Sequence, residues 1–150
     1  MTEPNPVNRH PRPADAQAEV FDHVRQAHSM ESTEDYVELI DDLIQTQGEA
    51  RLVDLAERLG ISQPTAGKTV ARLQRDGFVT SEPYRSIFLT DRGKALADAA
   101  RERHDTVYRF LLAIGVSSET AERDSEGVEH HVSEETLTAF RRIISQHERK

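Results

Sequence analysis

The sequence predicts a mainly α-helical fold, a small helical head that carries one β-hairpin, followed by an all-helical tail. Three observations predict it. Apolar residues recur at steps of three and four along six segments, most segments open or close on a capping residue such as Thr33, Ser62, Thr90, Gly48, Gly60 or Gly115, and strand-type runs occur only near 78–89.

The elements follow in order. Residues 1 to about 18, with four prolines in the first thirteen positions, read as a disordered arm, and Val20 to Ala27 as at most a short helix, so 1–32 is taken as an N-terminal arm. The first helix opens at Thr33, turns Tyr36, Val37, Ile40, Leu43 and Ile44 inward, and ends near Gly48. Ala50 to Leu59 is the second, closed by Gly60. Ser62 caps the third, where Pro64 sits in the first turn and its missing amide hydrogen costs little, and Ala66, Val70 and Leu73 face inward up to Asp76-Gly77. Phe78–Ser81 and Ser86–Leu89 form a hairpin through Glu82-Pro83-Tyr84-Arg85. Thr90 caps a long helix to about Ile114, whose inner stripe is Leu96, Ala100, Arg103, Val107, Leu111 and Ile114. Two further helices run roughly from Ser118 to His131 and from Ser133 to Gln146. The head is therefore placed at 33–92 and the tail at 93–150.

Composition excludes several classes. With no cysteine among 150 residues there are no disulfides, thiolate zinc sites or cysteine nucleophiles, so a metal would be held by oxygen and imidazole. No apolar run approaches the ~20 residues of a membrane span, and no signal-peptide segment is seen at the N-terminus, so the protein is expected in the cytoplasm, away from membranes. The net charge is −8, but 31–42 alone carries −6 and 117–136 another −6, leaving +4 for the rest. Between Ile61 and Arg75 there are Lys68, Arg72 and Arg75 and no acid, a basic face within an acidic protein.

Two short helices joined by a glycine turn and followed by a hairpin describe a winged helix-turn-helix, a DNA-binding unit whose second helix enters the major groove. Ser62, Gln63, Pro64 and Thr65 at its N-terminus are placed to reach bases. Lys68, Thr69 and Arg72 follow along the outer face, and Arg85 at the hairpin tip can meet the flanking backbone. A plain three-helix packing unit is the bland alternative, and the coincidence of cap, glycine, basic face and hairpin weighs against it.

Three groups stand on either side of this helix-turn-helix and hairpin: Asp35 and Glu38 before it, then His104, then Glu126, Glu129 and His130 after it. Offsets of three and four place the first and last groups each on one helical face. Singly, such residues are usually solvated surface. Two carboxylates beside an imidazole on one face form a natural cation cage, and an ion bound by all three groups would tie the head to the tail. His131 reads as a packing or hydrogen-bonding residue, and His10, His23 and His28 as residues without a metal role.

Asp35-Tyr36-Val37-Glu38, Ser62-Gln63-Pro64-Thr65, Arg103-His104 and above all Glu126-Gly127-Val128-Glu129-His130-His131-Val132-Ser133 resemble the diphtheria toxin repressor family over about Thr33 to His147, and within it the manganese branch. The resemblance implies that Asp35, Glu38, His104, Glu126, Glu129 and His130 are the metal ligands. It also implies a DNA-binding domain followed by a helical metal-binding and dimerisation domain. Iron-sensing members carry a further SH3-like domain for which this chain is too short, and have sulfur ligands where Asp35 and Glu126 stand here. Replacing soft sulfur by hard oxygen suits manganese. Some relatives also carry a carboxylate one turn after His104, where this chain has Tyr108.

The expected function is that of a manganese-responsive transcriptional repressor in metal homeostasis, a homodimer on palindromic double-stranded operator DNA. Two Mn2+ per protomer are expected, with Fe2+, Zn2+, Co2+ or Cd2+ binding in vitro. Without metal, the carboxylates of the first and fifth helices repel. With metal, the spacing of the two recognition helices is fixed, and uptake genes are repressed. A dimer face is expected on the helices after the hairpin, drawing on Phe110, Leu111, Leu137, Phe140, Ile143 and Ile144. The nearer rival is a winged-helix regulator that answers to iron(II), another metal or a non-metal ligand. The remote one is a di-metal enzyme, for which the Glu-x-x-His pairs and His-Glu-x-x-His motif are missing.

Overall fold

The computed structural model describes residues 12–82 and 84–150; His10 and Pro83 lie outside them. α1 (Ala14–Gln47) is one continuous helix, which corrects the expected start at Thr33. Pro13 stands just before it and Gly48, at φ 86°, closes it. Neither proline nor glycine interrupts it. Thr33 is an interior residue, 2% exposed, and caps nothing. Residues 14–31 are mostly exposed, so helix-forming Ala, Gln and Glu carry this half rather than an apolar face that periodicity would reveal.

α2 (Leu52–Leu59) and α3 (Gln63–Arg75) follow. Ala50, expected inside α2, instead forms an antiparallel bridge to Ile87, whose N–H donates to the Ala50 carbonyl at 2.7 Å. Ser62 caps α3 as expected, its Oγ accepting from the Thr65 amide at 3.2 Å. β1 (Val79–Thr80) and β2 (Phe88–Leu89) pair antiparallel with Val79 opposite Leu89, a shorter hairpin than the sequence pattern suggests. Tyr36, Val37, Ile40 and Leu43 of α1 join Leu55, Val70, Leu73, Phe78, Val79, Ile87 and Ala97 in one core.

α4 (Asp91–Ala113) packs against α1, α5 (Ser118–Val128) and α6 (Glu134–Glu148). Its first turn sits directly on the hairpin. A Cβ on Gly93 would lie 2.0 Å from the Phe78 carbonyl oxygen, so this approach requires glycine. Charge joins α4 to α1 as well: the buried Asp41 carboxylate accepts from Lys94 Nζ at 3.0 and 3.1 Å, from Arg101 at 2.9 Å and from Gln45 at 3.0 Å. Burial pushes the Asp41 carboxyl up, but these hydrogen bonds outweigh it and hold the group below its ordinary range.

Leu137 and Ile144, expected on a dimer face, are buried within the chain, and Phe110 stacks on Phe140 with ring centroids 3.8 Å apart. The packing of α6 on α4 uses these apolar residues to close the tail's own core. Ile143 stays exposed, as do Leu112 and Ile114. Among the described residues no helix is long and apolar enough to cross a membrane.

Candidate metal centre and nucleic-acid interface

Asp35 and Glu38 stand one turn apart on α1, His104 lies midway along α4, and Glu126, Glu129 and His130 lie at the end of α5 and in the turn after it. α5 stops at Val128 rather than running to His131, yet the Glu129 amide still donates to the Ser125 carbonyl at 3.1 Å, so the helical course holds through Glu129. The three elements converge. His104 Nδ1 is 2.9 Å from Glu129 Oε2 and 3.7 Å from Glu126, while His130 Nε2 is 3.0 Å from Asp35 and 3.3 Å from Glu129 Oε1. Glu129, 1% exposed, thus turns one oxygen to each imidazole.

Proximity here is not matched by alignment. Both Glu129 oxygens, His104 Nδ1 and His130 Nε2 are buried without a well-directed hydrogen-bond partner among the described residues. Buried polar groups are normally satisfied by well-directed hydrogen bonds, and these atoms are not. Oxygen and nitrogen donors that converge while lacking protein partners fit a divalent cation.

The electrostatics agree. His104 is pushed up to about 9, raised by the Glu129 carboxylate against the opposing effect of burial and raised further by Glu126 and Glu38. Burial lowers His130, but Asp35 and Glu34 outweigh it and carry the ring to about 10. Glu38 rises to about 7, through burial first and then through Glu129 and Glu126 against the pull of His104. Burial chiefly raises Glu126 too. The carboxylates of α1 and α5 crowd one another, as the sequence led us to expect.

Glu34 was not foreseen. Buried at 8% exposure, it places Oε2 2.5 Å from His130 Nδ1 and 2.7 Å from Arg103. When His130 gives up one proton, Glu34 keeps the other on Nδ1 and leaves Nε2 facing Asp35 and Glu129. A sign was present in the sequence: Arg103 falls on the inward stripe of α4, and a buried guanidinium demands a buried anion. Tyr108, one turn after His104, lies parallel to the His104 ring with centroids 6.5 Å apart.

On α3, Ser62, Gln63, Pro64, Thr65 and Lys68 are exposed and Thr69 is half-buried; Arg85 is exposed on the hairpin, 3.1 Å from Glu82. Arg72 differs from these. It donates to Thr33 Oγ1 of α1 at 3.2 Å and lies 3.9 Å from Asp76, so it links α3 to α1.

Residues 28–87 match the family described as iron dependent repressor, N-terminal DNA binding domain, and residues 90–150 match iron dependent repressor, metal binding and dimerisation domain. This chain belongs to the iron-dependent repressor family. It is the kinship that the motifs on α1, α3 and α5 led us to expect, with a DNA-binding domain first and a metal-binding and dimerisation domain second. Among family relatives, the transcriptional regulator MntR of Escherichia coli O157:H7 is 56% identical over 129 residues, covering 86% of this chain and 83% of that protein. The HTH-type transcriptional regulator MntR of Geobacillus kaustophilus is 41% identical over 102 residues, 68% of this chain and 72% of that protein. A solved manganese-dependent transcriptional repressor in complex with manganese superposes with a TM-score of 0.69 at 27% identity, over 75% of this chain and 52% of that one. The manganese regulator SloR, at 22% identity and a TM-score of 0.67 over 75% of this chain and 53% of its own, shares the fold. The chain spans about half the length of these two solved structures.

Proposed function

We propose that this protein is a manganese-responsive, DNA-binding transcriptional repressor that acts as a homodimer on a palindromic operator and turns down manganese uptake genes when the metal is plentiful. The observation that carries this reading is Glu129, buried between two imidazoles with neither oxygen in a well-directed hydrogen bond. Asp35, Glu38, His104, Glu126, Glu129 and His130 would hold two Mn2+ per protomer. The set contains no sulfur, and hard donors suit manganese, while Fe2+, Zn2+, Co2+ and Cd2+ are able to bind the same atoms in vitro. Once bound, the ions supply positive charge that offsets the crowded carboxylates. The solved manganese-dependent transcriptional repressor, in complex with manganese, supports the choice of metal.

Coupling to DNA belongs to the chain's own residues. Thr33, two residues before Asp35, accepts from Arg72 of α3, and Asp41 further along α1 is clamped to α4. Where α1 lies against α4 and α5 therefore decides where α3 lies. In the dimer, this sets the span between two α3 helices, which must be ~34 Å or a multiple of it to read a palindrome. Ser62, Gln63, Pro64, Thr65, Lys68 and Thr69 would meet the major groove, with Arg85 on the flanking backbone and Arg72 holding α3 to α1. The division into a reading domain that ends near residue 92 and a 93–150 metal and dimer domain belongs to the same proposal.

The test is fluorescence anisotropy on an operator fragment selected from genomic DNA, with manganese, iron(II) and zinc titrated in parallel. Manganese is expected to tighten binding about 30-fold, roughly 2 kcal/mol of coupling, and Glu126→Ala to lose that gain while keeping metal-free affinity. Equal binding with and without metal overturns the reading.

A further inference from the structure

We propose that His28, Glu31 and His131 form a second cation site, separate from the six-residue one, that takes a late first-row ion such as zinc in preference to manganese. The sequence assigns no metal role to either histidine, because they lie far apart in the chain. Folding brings them together. Glu31 Oε2 lies 3.2 Å from His28 Nδ1 and 3.5 Å from His131 Nε2, and a donor atom from each residue lies within 4.8 Å of the other two.

Those separations match a coordination polyhedron. For a tetrahedral ion with arms of ~2.0–2.2 Å, the ligand-to-ligand edges are about 3.3–3.6 Å, so both edges that meet at Glu31 need little adjustment. His28 and Glu31 are three residues apart on one face of α1. His131 is brought to that face because it follows His130, which Glu34 holds in place. The three side chains remain partly open to solvent, at 79%, 28% and 37% for His28, Glu31 and His131, which leaves room for water as a further ligand.

Donor chemistry separates this site from the other. Four carboxylates and two imidazoles make a hard, strongly anionic set, whereas two imidazoles and one carboxylate make a softer set of low charge. Manganese stands lowest in affinity for such nitrogen-rich sites and zinc well above it. An ion at His28, Glu31 and His131 ties the first half of α1 to the α5–α6 turn. Glu31 also faces Asp35 and His130, so the site adjoins the six-residue centre without using any of the six.

The experiment is equilibrium dialysis of the full chain against zinc and, separately, manganese, with bound metal counted by mass spectrometry. Wild type is expected to hold one zinc ion per chain more than His28→Ala, His131→Ala or the isosteric Glu31→Gln, while all four proteins hold the same amount of manganese. Cobalt(II) added as a probe should give tetrahedral absorption bands that each variant loses. Helical circular dichroism confirms that the variants fold. Equal zinc counts in wild type and variants overturn the proposal. So does a loss of manganese alongside zinc, which would place these residues in the six-residue centre instead.

Discussion

Glu34 Oε2 lies 2.5 Å from His130 Nδ1, and the same oxygen lies 2.7 Å from Arg103. This carboxylate therefore orients an imidazole on one side and neutralises a buried guanidinium on the other. Outer partners of this kind typically contribute 10–100-fold to metal affinity. Glu34→Gln is expected to weaken manganese binding by about that factor without changing the number of ions bound. Titration calorimetry reads both quantities, and unaltered affinity would remove Glu34 from this role.

The Arg72 to Thr33 hydrogen bond predicts a separable defect. Thr33→Val keeps the shape of a buried side chain but removes the acceptor, and a hydrogen bond to a charged group contributes ~1.5–3 kcal/mol at most. Metal binding should be preserved. The gain in operator affinity on adding manganese should shrink by roughly threefold to tenfold, about 1 kcal/mol. A variant whose gain equals that of wild type would show that α1 and α3 communicate by another route.

Asp41 predicts how stability responds to acid. Lys94, Arg101 and Gln45 face its carboxylate, while Asp98 shares both cations and Asp42 shares Arg101. Its folded pKa lies below 3.8, so its contribution is complete above the unfolded value and is lost as pH falls through the folded one. Asp41→Asn should cost about 1–2 kcal/mol near neutrality, less than a fully buried pair because Lys94 and Arg101 are partly exposed. In urea titrations at a series of pH values, the gap between wild type and variant should narrow below about pH 4. A gap that stays constant down to pH 2 would contradict this assignment.

Gly93 predicts a backbone clash. The added Cβ of Gly93→Ala would sit 2.0 Å from the Phe78 carbonyl oxygen, and backbone cannot swing aside as a flexible side chain would. Overpacking of this severity costs about 3 kcal/mol. Thermal melting should report a clear loss of stability, and a melting temperature within a degree of wild type would mean that the hairpin and α4 part more easily than their contact implies.

Local signals in the chain carried much of this architecture. Ser62, Thr90 and Ser133 cap helices because their hydroxyls accept a backbone N–H three residues on, a relation that can be read without coordinates. The spacing of Asp35 and Glu38, and of Glu126, Glu129 and His130, likewise identified residues that the fold draws together. Tertiary relations were less legible. Thr33 has the composition of a cap but lies inside a helix, because the half that precedes it is held by propensity and shows no apolar stripe. Ala50 has the best helix propensity of any residue, yet it pairs with Ile87 across the sheet. Glu34, Asp41 and Glu31 look like any acids on a helix, and their roles depend on Arg103, Lys94 and Arg101, which α4 delivers, and on His131, which the α5–α6 turn delivers.

The unbroken course of α1 from Ala14 to Gln47 makes it a lever about 50 Å long, at ~1.5 Å per residue over 34 residues. Asp35 stands some ~30 Å along the helix from the Ala14 tip, so a tilt of about 5° made at Asp35 would sweep the tip through roughly 3 Å. A displacement too small to resolve at the pivot becomes measurable at the far end. A spin label or fluorophore placed near Glu19 would therefore magnify the motion.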